Sequence, residues 1–129
     1  MKKFGATARV SAISLLLFGS GAIAQTEEDV RGLLVNWAPT QISMHDGIAE
    51  VILPQDRITD AIYYASISSG FCFGPLLDIG VNDVSELRIL NKFGQQGWVF
   101  ENEPGLCEQI VGEPASGVQV LIAAHSHLF

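Results

Sequence analysis

The sequence predicts an α+β fold, in which two helices cover a mainly antiparallel sheet of about five strands and one disulfide closes the structure. Three observations support this prediction. Two alternating apolar stretches are each interrupted by a tight-turn sequence, which is typical of β-hairpins. Two other stretches carry apolar residues at helical spacing. Two cysteines follow an export leader, and an oxidising compartment favours their pairing.

The amino-terminal segment has the features of a signal peptide. Two lysines precede an apolar stretch from Val10 to Phe18, and residues 22–24 (Ala-Ile-Ala) form an A-x-A cleavage site. The apolar stretch is shorter than the roughly 20 residues that a membrane-spanning helix needs. We therefore predict a leader over residues 1–24, a single small domain over residues 25–129, and no membrane anchor after cleavage. Such a leader predicts a periplasmic or secreted protein.

The charge of the predicted mature chain is strongly negative. Residues 25–129 keep four Lys and Arg residues against all 14 acidic residues, so the formal charge falls from −7 for the whole chain to −10. A surface of this charge repels phosphate backbones and anionic lipid headgroups, which argues against binding to nucleic acid or membranes. It suits a basic protein partner or a cation, although solubility alone also explains an acidic surface.

An amphipathic helix is predicted at the start of the domain, with Thr26 at its amino terminus. Four apolar residues recur at helical spacing and share one face: Val30, Leu33, Leu34 and Trp37. Pro39 ends the helix, because the residue before a proline is disfavoured in helical conformation.

Residues 41–53 predict a hairpin that turns at Asp46-Gly47, because this dipeptide tolerates the positive φ angles of a type I′ turn. Pairing His45 with Ile48 places the apolar side chains of both strands on one face. That face consists of Ile42, Met44, Ala49, Val51 and Leu53. The turn chemistry and the hydrophobic pattern therefore agree on one register.

A second helix is predicted after Pro54, with Asp56 as its cap and Asp60 in its first turn. The face expected to pack on the sheet consists mostly of small residues: Ile58, Ala61, Ile62, Ala65 and Ser69. Tyr63 and Ile67 fall on the opposite side, where they need a second cover or form an exposed patch.

The second half of the chain predicts another hairpin and a final strand. Leu87–Leu90 and Trp98–Glu101 pair across a turn at residues 94–97, and Leu106–Ile110 forms a helical turn. The apolar run Val118–Ala124 predicts a buried central strand.

Cys72 and Cys107 are predicted to form a disulfide after export. A cross-link between positions 35 residues apart stabilises a fold by roughly 3–4 kcal/mol on chain-entropy arguments. The alternatives are free thiols or metal-bound sulfurs, but the spacing lacks the short C-x-x-C motif of redox and zinc sites.

Aromatic residues beside the predicted disulfide are the candidate partner-binding surface. Phe71 and Phe73 flank Cys72 in a stiff apolar loop, and Tyr63 and Ile67 extend this surface if their side of the helix is uncovered. The alternative interpretation is that the loop packs as a plug over the edge of the core.

The segment His125-Ser126-His127 is a candidate metal site. If the last strand continues this far, both imidazoles point to the same face and supply two zinc or copper ligands. His45 or a nearby carboxylate would be the third ligand. An exposed strand end explains the same residues without a metal.

The sequence carries no motif of a nucleophilic enzyme, a zinc hydrolase or a phosphate-binding loop, so no catalytic residue is predicted. The leading hypothesis is an exported, non-enzymatic protein-binding domain, such as an inhibitor, an immunity protein or an accessory factor. The first alternative is a metal-binding module that uses the C-terminal His-x-His. The second is a small envelope hydrolase whose site is assembled from scattered carboxylates. No cofactor is predicted other than zinc or copper in the metal alternative.

Overall fold

A computed structural model describes residues 27–129 of the chain. Within this range the chain forms one five-stranded sheet, four α-helices, two 3₁₀ segments and one disulfide. The predicted leader over residues 1–24 and the Thr26 cap lie outside the described residues.

The strands lie in the sheet in the order in which they occur along the chain. They are β1 (Gln41–His45), β2 (Ile48–Ile52), β3 (Glu86–Leu90), β4 (Gly97–Glu101) and β5 (Ser126–Leu128). Three neighbouring pairs are antiparallel, whereas β2 and β3 are parallel. The sheet is therefore mixed rather than purely antiparallel, because a helical crossover joins β2 to β3.

The helices comprise four α-helical and two 3₁₀ segments in the described chain. The α-helices are α1 (Glu27–Leu33), α2 (Asp60–Ser68), α3 (Leu106–Gly112) and α4 (Ala115–Ala124). The 3₁₀ segments are Val35–Trp37, which follows α1, and Phe71–Leu77, which follows α2. None of the helices within residues 27–129 has both the length and the apolar character needed to cross a bilayer.

The first hairpin has the predicted register. His45 lies opposite Ile48 across the turn, and both turn residues have positive φ angles, 52° for Asp46 and 82° for Gly47. The same register places Ile42 opposite Val51, and both side chains are buried. The hydrophobic pattern and the turn residues therefore specify this part of the sheet together.

The core lies between one face of the sheet and the helices. Tyr63 of α2 stacks on Trp98 of β4 with ring centroids 5.4 Å apart, and its hydroxyl lies 2.6 Å from Ser126 Oγ of β5. Phe71 meets Phe100 edge to face at 6.4 Å. These contacts anchor α2 and the following 3₁₀ segment on the same side of the sheet.

The second helix differs from its prediction in its start and in its buried face. It begins at Asp60 rather than after Asp56, and Thr59 Oγ1 caps it by accepting a hydrogen bond from the Ile62 N–H. The buried side chains are Tyr63, Ser66 and Ile67. Burial of the large tyrosine and isoleucine removes more apolar surface from water than burial of alanines, so these side chains face the sheet.

The C-terminal region also corrects the prediction. The apolar run Val118–Ala124 belongs to helix α4 and is not a central strand. The last strand is instead β5, which comprises three residues and pairs antiparallel with β4 at the edge of the sheet. Four helices, rather than two, therefore accompany the sheet in the described chain.

The predicted disulfide is present and links two helical segments. Cys72 in the second 3₁₀ segment is bonded to Cys107 in α3, and both residues are buried. The bond fixes the segment that carries Phe73 against the helix that carries Val111. These two exposed apolar residues are thereby held beside each other.

Candidate functional site

A groove with a volume of about 550 Å³ lies on the helical side of the molecule. Helix α2 forms one wall, and α3, α4 and the segment between them form the other. The groove is lined mainly by apolar and small side chains, which include Ala61, Tyr64, Ala65, Phe73, Val111 and Val118. Its size falls within the range of ordinary ligand pockets, about 300–1,000 Å³.

The small residues of α2 create this hollow. Ala61, Ala65 and Ser69, which the sequence analysis assigned to the sheet, point instead toward α3 and α4. Ala61 and Ser69 are exposed, and Ala65 is half-buried. Because these side chains are short, the neighbouring helices leave a channel between them rather than a filled interface.

Large apolar side chains are exposed along one side of the groove. The side chain of Phe73 is 41% exposed and that of Val111 is 36% exposed, and both line the groove. Val111 also lines a second, smaller hollow of about 190 Å³, together with Pro75 and Leu76. Leu76 is 62% exposed, so the apolar surface continues from one hollow to the next. We call Phe73, Leu76 and Val111 the apolar rim.

The charged side chains that line the two hollows are all acidic. Residues 58–80 and 106–124, which contain α2, α3, α4 and the 3₁₀ segment, include no Lys or Arg. They include four carboxylates: Asp60, Asp78, Glu108 and Glu113. Glu113 lines the large groove, and Glu108 lines the small hollow. The apolar rim therefore lies in a negative surface.

The structure buries most of the residues of the predicted partner-binding surface. Tyr63, Ile67 and Phe71 are each no more than 1% exposed, so they pack in the core and cannot contact a partner in this conformation. Burial raises the pKa of the Tyr63 hydroxyl well above its usual range. Phe73 is the one member of the predicted set that reaches the surface. The alternative interpretation of the loop as a plug therefore applies to Phe71.

The three histidines are not brought together. His45 lies on β1 and His127 on β5, at opposite edges of the sheet and about 19 Å apart at the usual strand spacing. His125 caps the carboxyl end of α4 rather than continuing the strand, so the His-x-His pair lacks the predicted strand geometry. Within residues 27–129, no group of three His, Cys, Asp or Glu side chains has a metal-binding arrangement.

The face of the sheet opposite the helices carries charged residues that pair with each other. Arg88 in the central strand lies 2.6 Å from Glu86 Oε2 and 3.4 Å from Glu50 Oε2. The hydrogen bond to Glu86 raises the pKa of the Arg88 guanidinium, and the Phe129 ring lies 5.8 Å from the guanidinium carbon. Arg88 thus contacts two carboxylates of the same face.

The carboxylate of Glu101 is also on this second face. Its Oε2 lies 3.0 Å from His127 Nδ1, and both side chains are more than half exposed. An exposed pair of this kind lacks the enclosed pocket in which carboxylates take up acid–base roles. The groove on the helical side is therefore the site that the structure supports best.

The sequence contained one signal for this groove. That signal is the run of small residues in α2, which on sequence grounds predicts a close contact with the sheet. The second wall could not be expected, because α4 was predicted as a strand. Comparison with protein-family models, with curated proteins and with solved structures finds no match to this chain.

Proposed function

We propose that the protein is an exported, non-enzymatic binding domain that holds a segment of a partner protein in the helical groove. The observation that carries this proposal is the apolar rim, where Phe73, Leu76 and Val111 remain exposed beside two adjoining hollows. Leaving an aromatic and two aliphatic side chains in water has a cost that a bound partner would recover. Aromatic anchors of this kind are enriched at the centres of protein interfaces.

The rigidity of the rim supports the same proposal. Phe73 directly follows Cys72, and the disulfide to Cys107 holds this segment against α3. A surface that is already ordered loses less conformational entropy when a partner binds. A function in the periplasm or outside the cell agrees with the disulfide and with the predicted leader. Inhibitor, immunity protein and accessory factor are all roles that such a domain would serve.

A site-specific cross-linking experiment tests this proposal. The photoreactive residue p-benzoylphenylalanine is placed at position 73, or at position 93 as a matched control. Phe93 is also an exposed phenylalanine, but it lies in the β3–β4 turn and does not line the groove. We expect position 73 to form a covalent adduct with one defined polypeptide in the producing cells, and position 93 not to form it.

Competition with unlabelled protein identifies specific adducts. Wild-type protein and the Phe93→Ser variant should suppress the adduct at position 73, whereas Phe73→Ser should not. Circular dichroism of both variants checks that the fold is retained. The proposal is wrong if both positions give the same adducts, if position 73 gives none, or if Phe73→Ser competes as well as the wild type.

A further inference from the structure

The distribution of charge over the helices carries information about the partner. The four cations of the described chain lie elsewhere: Arg31 on α1, Arg57 before α2, Arg88 on the open sheet face and Lys92 in the β3–β4 turn. Arg31 donates to the Pro39 carbonyl, and Lys92 pairs with Asp56 at 2.7 Å. Neither hollow beside the apolar rim has a basic residue in its lining.

Each of the two hollows has one carboxylate in its lining. Glu108 lies in α3, three residues before Val111 and therefore on the same side of the helix. Glu113 follows the end of α3, two residues after Val111. Val111 of the apolar rim thus lies between Glu108, which lines the small hollow, and Glu113, which lines the large groove.

These carboxylates differ from those on the sheet. Within residues 27–129, the ion pairs include Glu50, Glu86 and Glu101 but neither Glu108 nor Glu113. A carboxylate beside apolar surface gains most from a cation that arrives with a partner and excludes water. The carboxylates and the apolar rim therefore favour a ligand that is both cationic and apolar.

We propose that the groove binds a cationic polypeptide segment, in which apolar side chains are flanked by Lys or Arg. One apolar side chain occupies the large groove against Phe73 and Ala65, and a second covers Leu76 in the small hollow. Basic side chains on either side of these anchors pair with Glu108 and Glu113. This inference rests on the proposed function and specifies the chemistry of the partner segment.

Selection from a library of short random peptides displayed on phage tests the chemistry directly. Protein produced from the full-length sequence is immobilised and panned, and peptides that also bind the Phe73→Ser variant are removed. We expect the remaining peptides to carry a surplus of Lys and Arg around at least one aromatic or aliphatic residue. Their dissociation constants, measured by fluorescence anisotropy, should rise with salt concentration.

Charge variants of the protein provide the second part of the test. Glu108→Gln combined with Glu113→Gln should raise the dissociation constants of the selected peptides about tenfold at low salt. The matched control is Glu50→Gln combined with Glu101→Gln, which removes the same charge from the opposite side of the sheet and should leave the affinity unchanged.

The outcomes separate this inference from the proposed function. If the selected peptides depend on Phe73 but are neutral or acidic, the groove is a binding site, and the proposal that its partner segment is cationic is wrong. Equal weakening by both pairs of charge variants likewise rejects specific pairing in favour of a general effect of net charge. If no peptide depends on Phe73, both the inference and the proposed function fail.

Discussion

The open face of the sheet and the helical side of this molecule differ in the contacts that their exposed side chains make. On the open face of the sheet, Arg88 is held between Glu50 and Glu86, and His127 contacts Glu101. On the helical side, Phe73 and Val111 are exposed beside two hollows, and the carboxylate that lines each hollow has no ion-pair partner among the described residues. The charged side chains of the sheet face contact one another, whereas the exposed apolar side chains of the helical side would be covered by the partner that we propose.

The difference follows from how the two surfaces are built. Neighbouring strands are joined by backbone hydrogen bonds, and side chains from adjacent strands stand close enough to pair across the sheet. Helices are joined only by side chains, so short side chains such as Ala61 and Ala65 leave space between them. The disulfide links the 3₁₀ segment that carries Phe73 to α3.

The largest expected effect comes from removing the disulfide. Cys72→Ala combined with Cys107→Ala should lower the free energy of unfolding by about 3–4 kcal/mol, because it removes a cross-link between positions 35 residues apart. Denaturant unfolding, monitored by Trp fluorescence, measures this change. Because the bond also fixes Phe73, the double variant should lose cross-linking at position 73.

Reduction of the wild-type protein provides a matched control for this variant. A reductant in the unfolding experiment should lower the stability of the wild type toward that of the double variant and leave the variant unchanged. If the double variant loses less than about 1 kcal/mol and still cross-links at position 73, the disulfide does not maintain the groove.

The sheet was the more predictable side for a physical reason. In the first hairpin, Asp46-Gly47 specifies the turn, and the alternation through Ile42 and Val51 specifies the buried face. Both signals are local in sequence and agree. The parallel pairing of β2 with β3 depends on a crossover of more than 30 residues, which no local pattern in the sequence reveals.

The helical side was less predictable because its signals were ambiguous. Val118–Ala124 is apolar throughout, and a short apolar run fits a buried strand and a helix equally well. In the structure only Ile122 of this run is fully buried, and Val118 and Leu121 pack beside the core at helical spacing. The groove is lined in part by α4. Because the sequence did not predict this helix, the groove could not be predicted either.

A smaller effect is expected at Tyr63, whose hydroxyl joins α2 to β5 within the core. Tyr63→Phe removes the 2.6 Å contact with Ser126 Oγ and should cost about 1 kcal/mol of unfolding free energy at neutral pH. Burial raises the pKa of Tyr63 above its ordinary value of 10.0, so at alkaline pH the folded state retains a proton that the unfolded state loses. Wild-type stability should therefore fall as the pH rises above about 10.

The pH dependence distinguishes burial of the hydroxyl from a simple packing change. Tyr63→Phe should show a shallower loss of unfolding free energy above pH 10 than the wild type, whereas Tyr64→Phe should retain the wild-type slope. Tyr64 is a suitable control because it is adjacent but only half-buried. Equal slopes for the wild type and Tyr63→Phe would show that the Tyr63 hydroxyl does not cause the loss of stability at alkaline pH.

The smallest effect is expected from the charges of the open sheet face. Arg88→Gln removes both of its ion pairs, but the Arg88, Glu50 and Glu86 side chains are each between 27% and 34% exposed. Water and salt screen such pairs, so the loss of unfolding free energy should be about 1 kcal/mol or less and should shrink further at high salt. Binding in the groove should not change, because this face lies on the other side of the sheet from the helices. A loss of groove binding in folded Arg88→Gln protein would show that the two sides are coupled, and the contrast between a face whose charges pair internally and a groove that we propose to bind a partner would then be wrong.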